Sequence, residues 1–135
     1  MTRTRQLLGL DVGGARIGVA VGDSAIKIAI AHGFVEVDEN IVATIAEIAI
    51  KNDTDTIVIG YPRNQSGEPT QQTQFVEDFA AQLSDLDASI VFQDESLTSV
   101  IAEKRLLARG TPYVKGDIDS EAATIILQDY MEQHA

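Results

Sequence analysis

The sequence predicts an α/β fold in which a central mixed five-stranded sheet is flanked by helices on both faces. Three strand-like runs come first, and the short turns between them can join only antiparallel strands. Short apolar runs then alternate with helical repeats, as in parallel strands joined by crossover helices. The chain has 135 residues, 44% of them hydrophobic, which suits one domain over 1–135 with its own core.

The first strands flank a glycine-rich turn. Residues 7–12 and 17–21 are the apolar runs, and residues 27–35 form a third strand, expected to be antiparallel to the second. Gly13 and Gly14 leave the turn backbone free to approach another group. A carboxylate at the strand end, Asp11, suits a metal ion or a phosphate there. The alternative is a tight hairpin with Asp11 as an ordinary turn residue.

Helices and buried strands alternate through the rest of the chain. The predicted elements are helix 40–51, strand 55–60, helix 70–83, strand 89–93, helix 99–109 and a final helix from 117–119 to about 132. Periodicity places Phe75 and Leu107 on the inward faces of their helices. The loop 61–69 follows the end of a strand, where open α/β sheets bind their ligands.

Composition and charge restrict the function. The net charge of −11 argues by itself against nucleic-acid binding, which depends on Lys and Arg. Six of the ten basic residues nevertheless lie in or beside the motifs: Arg16, Arg63, Lys104, Arg105, Arg109 and Lys115. The absence of cysteine excludes disulfides and a cysteine zinc site. No run has the length of a membrane span or a signal core, so we expect a cytoplasmic protein without a membrane partner.

Three acids occupy comparable places: Asp11 and Glu95 at strand ends, and Asp119 in the first turn of the last helix. If the strands are parallel neighbours, their carboxylates emerge at one edge, and the helix would bring the third. Such a cluster needs a cation, and oxygen ligands select Mg²⁺ or Mn²⁺, commonly as two ions that clamp a phosphodiester. One alternative is that Asp119 is only an acid at a helix N-terminus, where the helix dipole stabilises a negative charge. Another is that Glu95 is an exposed loop acid, since Asp94 is an equal candidate by position.

Four motifs resemble those of the YqgF/RuvX family. They are GLDVGGARIGVA at 9–20, GYPRNQSG at 60–67, DESLTS at 94–99, and KG with IDSEAA within 115–123. They occur in order and cover the chain from about 8 to 132, which makes the resemblance specific. It implies an RNase H-like fold of the kind found in Holliday junction resolvases. The family is described as a nuclease that matures the 5′ end of pre-16S rRNA, and formerly as a junction resolvase.

The resemblance also implies roles for particular residues. Asp11, Glu95 and Asp119 match the acidic triad and are the expected catalytic residues and metal ligands. The expected substrate-binding residues are Arg16, Arg63, Asn64, Thr98 and Lys115. Two positions depart from the family: Ser96 replaces its usual Arg, and Arg63 stands where an apolar residue is usual. We expect Arg63 to supply the missing charge.

The leading hypothesis is a metal-dependent nuclease that uses Mg²⁺ or Mn²⁺ on pre-16S rRNA, with a protein partner or the ribosomal particle presenting the substrate. A Holliday junction resolvase acting on branched DNA would use the same site. A sugar-kinase or actin-like ATPase shares the opening motif, but 135 residues provide one domain where those proteins need two. A non-catalytic module for RNA or ribosome assembly is a further alternative, although 5% aromatic residues disfavour base stacking. Monomer and homodimer both remain open.

Overall fold

The computed structural model describes residues 5–62, 71–95 and 98–134. Five strands and four helices form in this part of the chain. In order they are β1 (Gln6–Val12), β2 (Arg16–Asp23), β3 (Ile28–Glu36), α1 (Ile41–Lys51), β4 (Thr56–Pro62), α2 (Gln71–Gln82), β5 (Ser89–Glu95), α3 (Thr98–Arg109) and α4 (Lys115–Gln133). This is the element order that the sequence predicts.

The five strands form one mixed sheet in the order β3-β2-β1-β4-β5. β1, β2 and β3 pair antiparallel, because short turns connect them. β4 runs parallel to β1, and β5 runs parallel to β4. Each follows a helix that carries the chain back to the end of the sheet where β1 begins. The predicted mixed sheet with β1 at its centre is therefore confirmed, and so is the antiparallel β2–β3 pair.

Each face of the sheet buries its own apolar layer. On one face α1 and α2 pack on alternate residues of the strands, including Leu8, Leu10 and Ile59. On the other face α4 packs on the intervening residues, such as Leu7 and Val58. α3 lies against α4 rather than the sheet, through small buried contacts. None of the described helices is both long and apolar enough to cross a membrane.

Several details differ from the sequence prediction. β4 and β5 continue two residues beyond the predicted ends, so Glu95 belongs to its strand. α4 begins at Lys115, two residues early, and the Asp117 carboxylate accepts a hydrogen bond from the Val114 N–H at 3.0 Å. The predicted inward positions of Phe75 and Leu107 are wrong, since these side chains are 39% and 61% exposed. α2 and α3 each pack on a narrower stripe than periodicity indicates.

Candidate active site

Asp11 lies near the end of the central strand, on the face of the sheet that α4 covers. Its partner on β2 is Gly18. On the other side Leu10 pairs with Ile59 of β4, so Gly60 runs alongside Asp11. The carboxylate therefore stands between two residues that have no side chain.

Those two glycines let the other acids approach. A Cβ on Gly18 would overlap the main-chain carbonyl of Asp119, so α4 passes directly over this point of β2. A Cβ on Gly60 would overlap the carboxylate of Glu95, which leans back from β5 across β4. The convergence of Glu95 and Asp119 on Asp11 thus depends on backbone approach. The sequence shows both glycines, but only strand register reveals that they flank Asp11.

The electrostatics reflect this convergence. Burial, and after it the negative charges of Glu95 and Asp119, together raise the pKa of Asp11 to about 8. Burial also raises the pKa of Glu95. With its pKa raised in this way, the Asp11 carboxyl group stays largely protonated at neutral pH. Such a group, buried beside two like charges, marks a site that is short of positive charge.

Arg16 supplies part of that charge. It opens β2, just after the glycine turn, and its Nε donates to Oδ2 of Asp119 at 2.7 Å. The two side chains are 31% and 21% exposed, so the pair is at the rim of the site. The predicted substrate-binding arginine is therefore in contact with a predicted metal ligand.

A groove of about 320 Å³ opens beside this ion pair, between the start of β2 and the first turns of α3 and α4. Arg16 and Lys115 both line it, so two of the predicted substrate-binding residues share one surface. Thr98 does not line it: its side chain is only 6% exposed. The next residue, Ser99, faces the groove instead, and the sequence analysis missed it.

Several other predicted residues fall elsewhere. Arg63, Asn64 and Ser96 lie outside the described residues. Arg109 binds Glu121 at 2.8 Å, and Arg105 lies 3.6 Å from the same carboxylate oxygen. Glu121 is buried and was not predicted. Arg105 and Arg109 thus join α3 to α4 at this glutamate.

The three acids fit a hard cation by their chemistry, since their donors are carboxylate oxygens. Burial and then the charges of Glu95 and Asp119 raise the pKa of Asp11, and a bound cation would relieve both effects. Within 5–62, 71–95 and 98–134, however, no three acidic or histidine side chains are already gathered at metal-ligand distances. Binding would therefore draw the carboxylates together. Asp119 would also exchange its contact with Arg16 for the cation.

A mixed sheet in this strand order, with acids at the centre of one edge and a helix across it, defines the RNase H-like class of nuclease folds. The model of a family described as "RuvX: Holliday junction resolvase" matches residues 5–133. The chain belongs to the RuvX family and is a phosphodiester hydrolase of the nuclease type. Nucleases of this kind depend on divalent cations in general, and they bind nucleic acid.

Two relatives are similar to this chain over nearly all of its length. A protein from Sulfurihydrogenibium is 37% identical, and the match covers 95% of this chain and 90% of the relative's length. Another, from Caldanaerobacter subterraneus, is 38% identical over 94% and 96%. Both bear the name "Putative pre-16S rRNA nuclease".

Two solved structures show the same fold at low identity. RuvC of Thermus thermophilus in complex with a Holliday junction substrate has a TM-score of 0.63 at 13% identity, covering 96% of this chain and 95% of that one. The fowlpox virus resolvase, with Holliday junction DNA, has a TM-score of 0.59 at 12% identity over 96% and 98%. These matches confirm the RNase H-like fold that the motifs predict.

Proposed function

We propose that this protein is a metal-dependent nuclease that processes the 5′ end of pre-16S rRNA, with Asp11, Glu95 and Asp119 as its catalytic acids. The observation that carries the proposal is the approach of Glu95 and Asp119 to Asp11 across Gly60 and Gly18. Structural carboxylates do not need such a costly arrangement, whereas an enzyme that binds cations does. The relatives' name supplies the substrate.

The three carboxylates would hold Mg²⁺ or Mn²⁺, and two ions suit the charge of the cluster. Bound there, the ions would supply a hydroxide nucleophile and stabilise the leaving oxygen. The chain's own residues bind and orient the substrate. Lys115 and Arg16 line the adjoining groove, where they would contact phosphates of the substrate. Arg63 and Asn64 are proposed to contact the substrate from the loop after β4, and Thr98 to set the start of α3.

The charge of −11 implies weak and salt-sensitive binding to free RNA. We therefore propose that the ribosomal particle presents the substrate to the enzyme. A nuclease with this task would work in the cytoplasm, where ribosomes assemble. One domain over 1–135 would suffice, as a monomer or a homodimer.

A Holliday junction resolvase is the second candidate. It is favoured by the description of the family and by the resolvase structures that share the fold. The same acids would cut DNA by the same chemistry, so the substrate must be decided by experiment.

Cleavage assays with a 5′-extended rRNA fragment and a four-way DNA junction test both candidates, each in Mg²⁺, Mn²⁺ or a chelator. We expect the wild type to cut the RNA only with metal, and Asp11→Asn to abolish cleavage. Asp53→Asn is the matched control, because Asp53 lies at the opposite edge of the sheet and its φ of 49° suits asparagine. Cleavage of the junction alone would establish the resolvase. Equal cleavage by Asp11→Asn would refute the three-acid site.

A further inference from the structure

The groove beside the acidic site has an unusual composition for a surface that only neutralises phosphates. Its walls include the cations Arg16 and Lys115 and the polar residue Ser99. Its other lining residues are apolar, Val100 and Ile118, and Asp119 belongs to the same wall. A carboxylate, Glu103, also faces the groove one helical turn beyond Ser99.

The surrounding segment is the basic part of an acidic protein. Residues 98–116 contain four basic side chains and one acidic one, a net charge of +3 in a chain of −11. Two of the four, Arg105 and Arg109, bind the buried Glu121. Lys115 is exposed, and no carboxylate of the described residues lies within ion-pair distance of it. Lys115 is thus the cation that the groove offers to a phosphate, because Arg16 is paired with Asp119 and Lys104 does not line the groove.

Resting on the function proposed above, we propose that this groove is the subsite for one single-stranded ribonucleotide next to the bond that is cut. Lys115 and Ser99 take its phosphate, and the sugar and base lie over Val100 and Ile118. Glu103 accepts a hydrogen bond from the ribose 2′-hydroxyl and so distinguishes RNA from DNA. The volume of about 320 Å³ is at the small end of ligand sites and is of the size that a single nucleotide needs.

Glu103 is the residue of the subsite that would distinguish RNA from DNA. A carboxylate repels phosphate, so in a phosphate-binding groove its useful partner is a hydrogen-bond donor. The 2′-hydroxyl is the donor that RNA has and DNA lacks. A duplex held through its backbone would have no use for an apolar floor, whereas an unstacked nucleotide buries its sugar or base there.

Binding of one short single-stranded RNA and the DNA of the same sequence tests the subsite, by fluorescence anisotropy in Ca²⁺ with gels to verify that the strands stay intact. We expect the wild type to prefer RNA. Glu103→Ala should reduce the RNA-to-DNA affinity ratio by about tenfold, because the hydrogen bond to a charged acceptor is lost. Glu103→Gln should reduce the ratio less, because its amide oxygen still accepts a hydrogen bond but carries no charge. Lys115→Gln should weaken both strands equally and lower the salt dependence by about one phosphate contact.

Glu47→Gln is the matched control. It removes the same charge from an exposed position on α1, on the other face of the sheet, and should leave the ratio unchanged. An equal affinity of the wild type for RNA and DNA, or a ratio that Glu103 variants do not change, would overturn the subsite. If the rRNA fragment is still cut through Asp11, the nuclease stands without the subsite. If the wild type neither binds nor cuts RNA, both proposals fail.

Discussion

The guanidinium of Arg16 donates from Nε to the Asp119 carboxylate at 2.7 Å, although the two residues are 103 positions apart in the chain. The contact joins the start of β2 to the first turns of α4 at the rim of the acidic site. Arg16 also lines the adjoining groove. One side chain thus lies between the proposed metal ligands and the proposed substrate path, and it can serve only one of them at a time.

Replacing Arg16 by glutamine should therefore strengthen metal binding. In the wild type a cation must displace the guanidinium from Asp119, and a partly exposed ion pair contributes about 0.5–1 kcal/mol. We expect Arg16→Gln to raise the affinity for Mn²⁺ by about two- to fivefold, measured by calorimetric titration without nucleic acid. The same variant should bind RNA more weakly, because a phosphate contact is lost.

Lys115→Gln is the control for this measurement. It removes the same charge from the same groove, but within the described residues Lys115 makes no ion pair with Asp119. Its effect on Mn²⁺ affinity therefore reports only the loss of one positive charge near the site. Equal gains in the two variants would show that Arg16 and the cation do not compete for Asp119.

The pKa of Asp11 predicts how stability depends on pH. This pKa is raised from 3.8 in the unfolded chain to about 8, so between these values the folded state binds more protons than the unfolded state. The free energy of unfolding of the metal-free protein should therefore fall as the pH rises from about 4 to 8. The raised pKa of Glu95 acts in the same direction.

Asp11→Asn should remove most of that dependence, because asparagine carries no charge to bury and only the contribution of Glu95 remains. At pH 8 without metal we expect the variant to be more stable than the wild type by about 1–3 kcal/mol, measured by urea denaturation. Mg²⁺ should stabilise the wild type and leave the variant nearly unchanged. A wild type whose stability rises from pH 4 to 8 would contradict a pKa of Asp11 raised by burial and by the neighbouring charges.

The sequence predicts the sheet well because its signals are local. Short turns dictate antiparallel pairing, and apolar runs such as 55–60 dictate buried strands. The motifs likewise point to Asp11, Glu95 and Asp119 as the proposed catalytic acids. What the sequence does not show is the partner of each charge. Glu121 looks like any helical acid until α3 packs on α4 and brings Arg109 to it, and the groove wall at Ser99 depends on the same packing.

The Glu121 cluster should stabilise the protein through that packing. Its carboxylate is buried and accepts hydrogen bonds from both terminal nitrogens of Arg109, at 2.8 and 3.4 Å. Arg109→Ala would leave the carboxylate with Arg105 alone, at 3.6 Å. Since Arg109 is half exposed, we expect a loss of about 1–2 kcal/mol in urea denaturation. Lys104→Ala, on the same helix, is the control and should change stability little. An equal loss in both variants would assign the effect to the helix rather than to Glu121.

The two glycines beside Asp11 should differ in what they support. An added Cβ at Gly18 meets main-chain atoms of Asp119 and Ser120, which cannot move without displacing α4. We expect Gly18→Ala to cost about 1–3 kcal/mol or more in unfolding free energy.

At Gly60 the added Cβ meets the ends of the Glu95 and Ile126 side chains, which can turn away. Gly60→Ala should therefore lose less stability but displace Glu95, and so weaken Mn²⁺ binding. Gly14→Ala, with no heavy atom within 4 Å of the new Cβ, should change neither property. Should Gly60→Ala bind Mn²⁺ as the wild type does, Glu95 does not need the space across β4 and its place among the metal ligands would be lost.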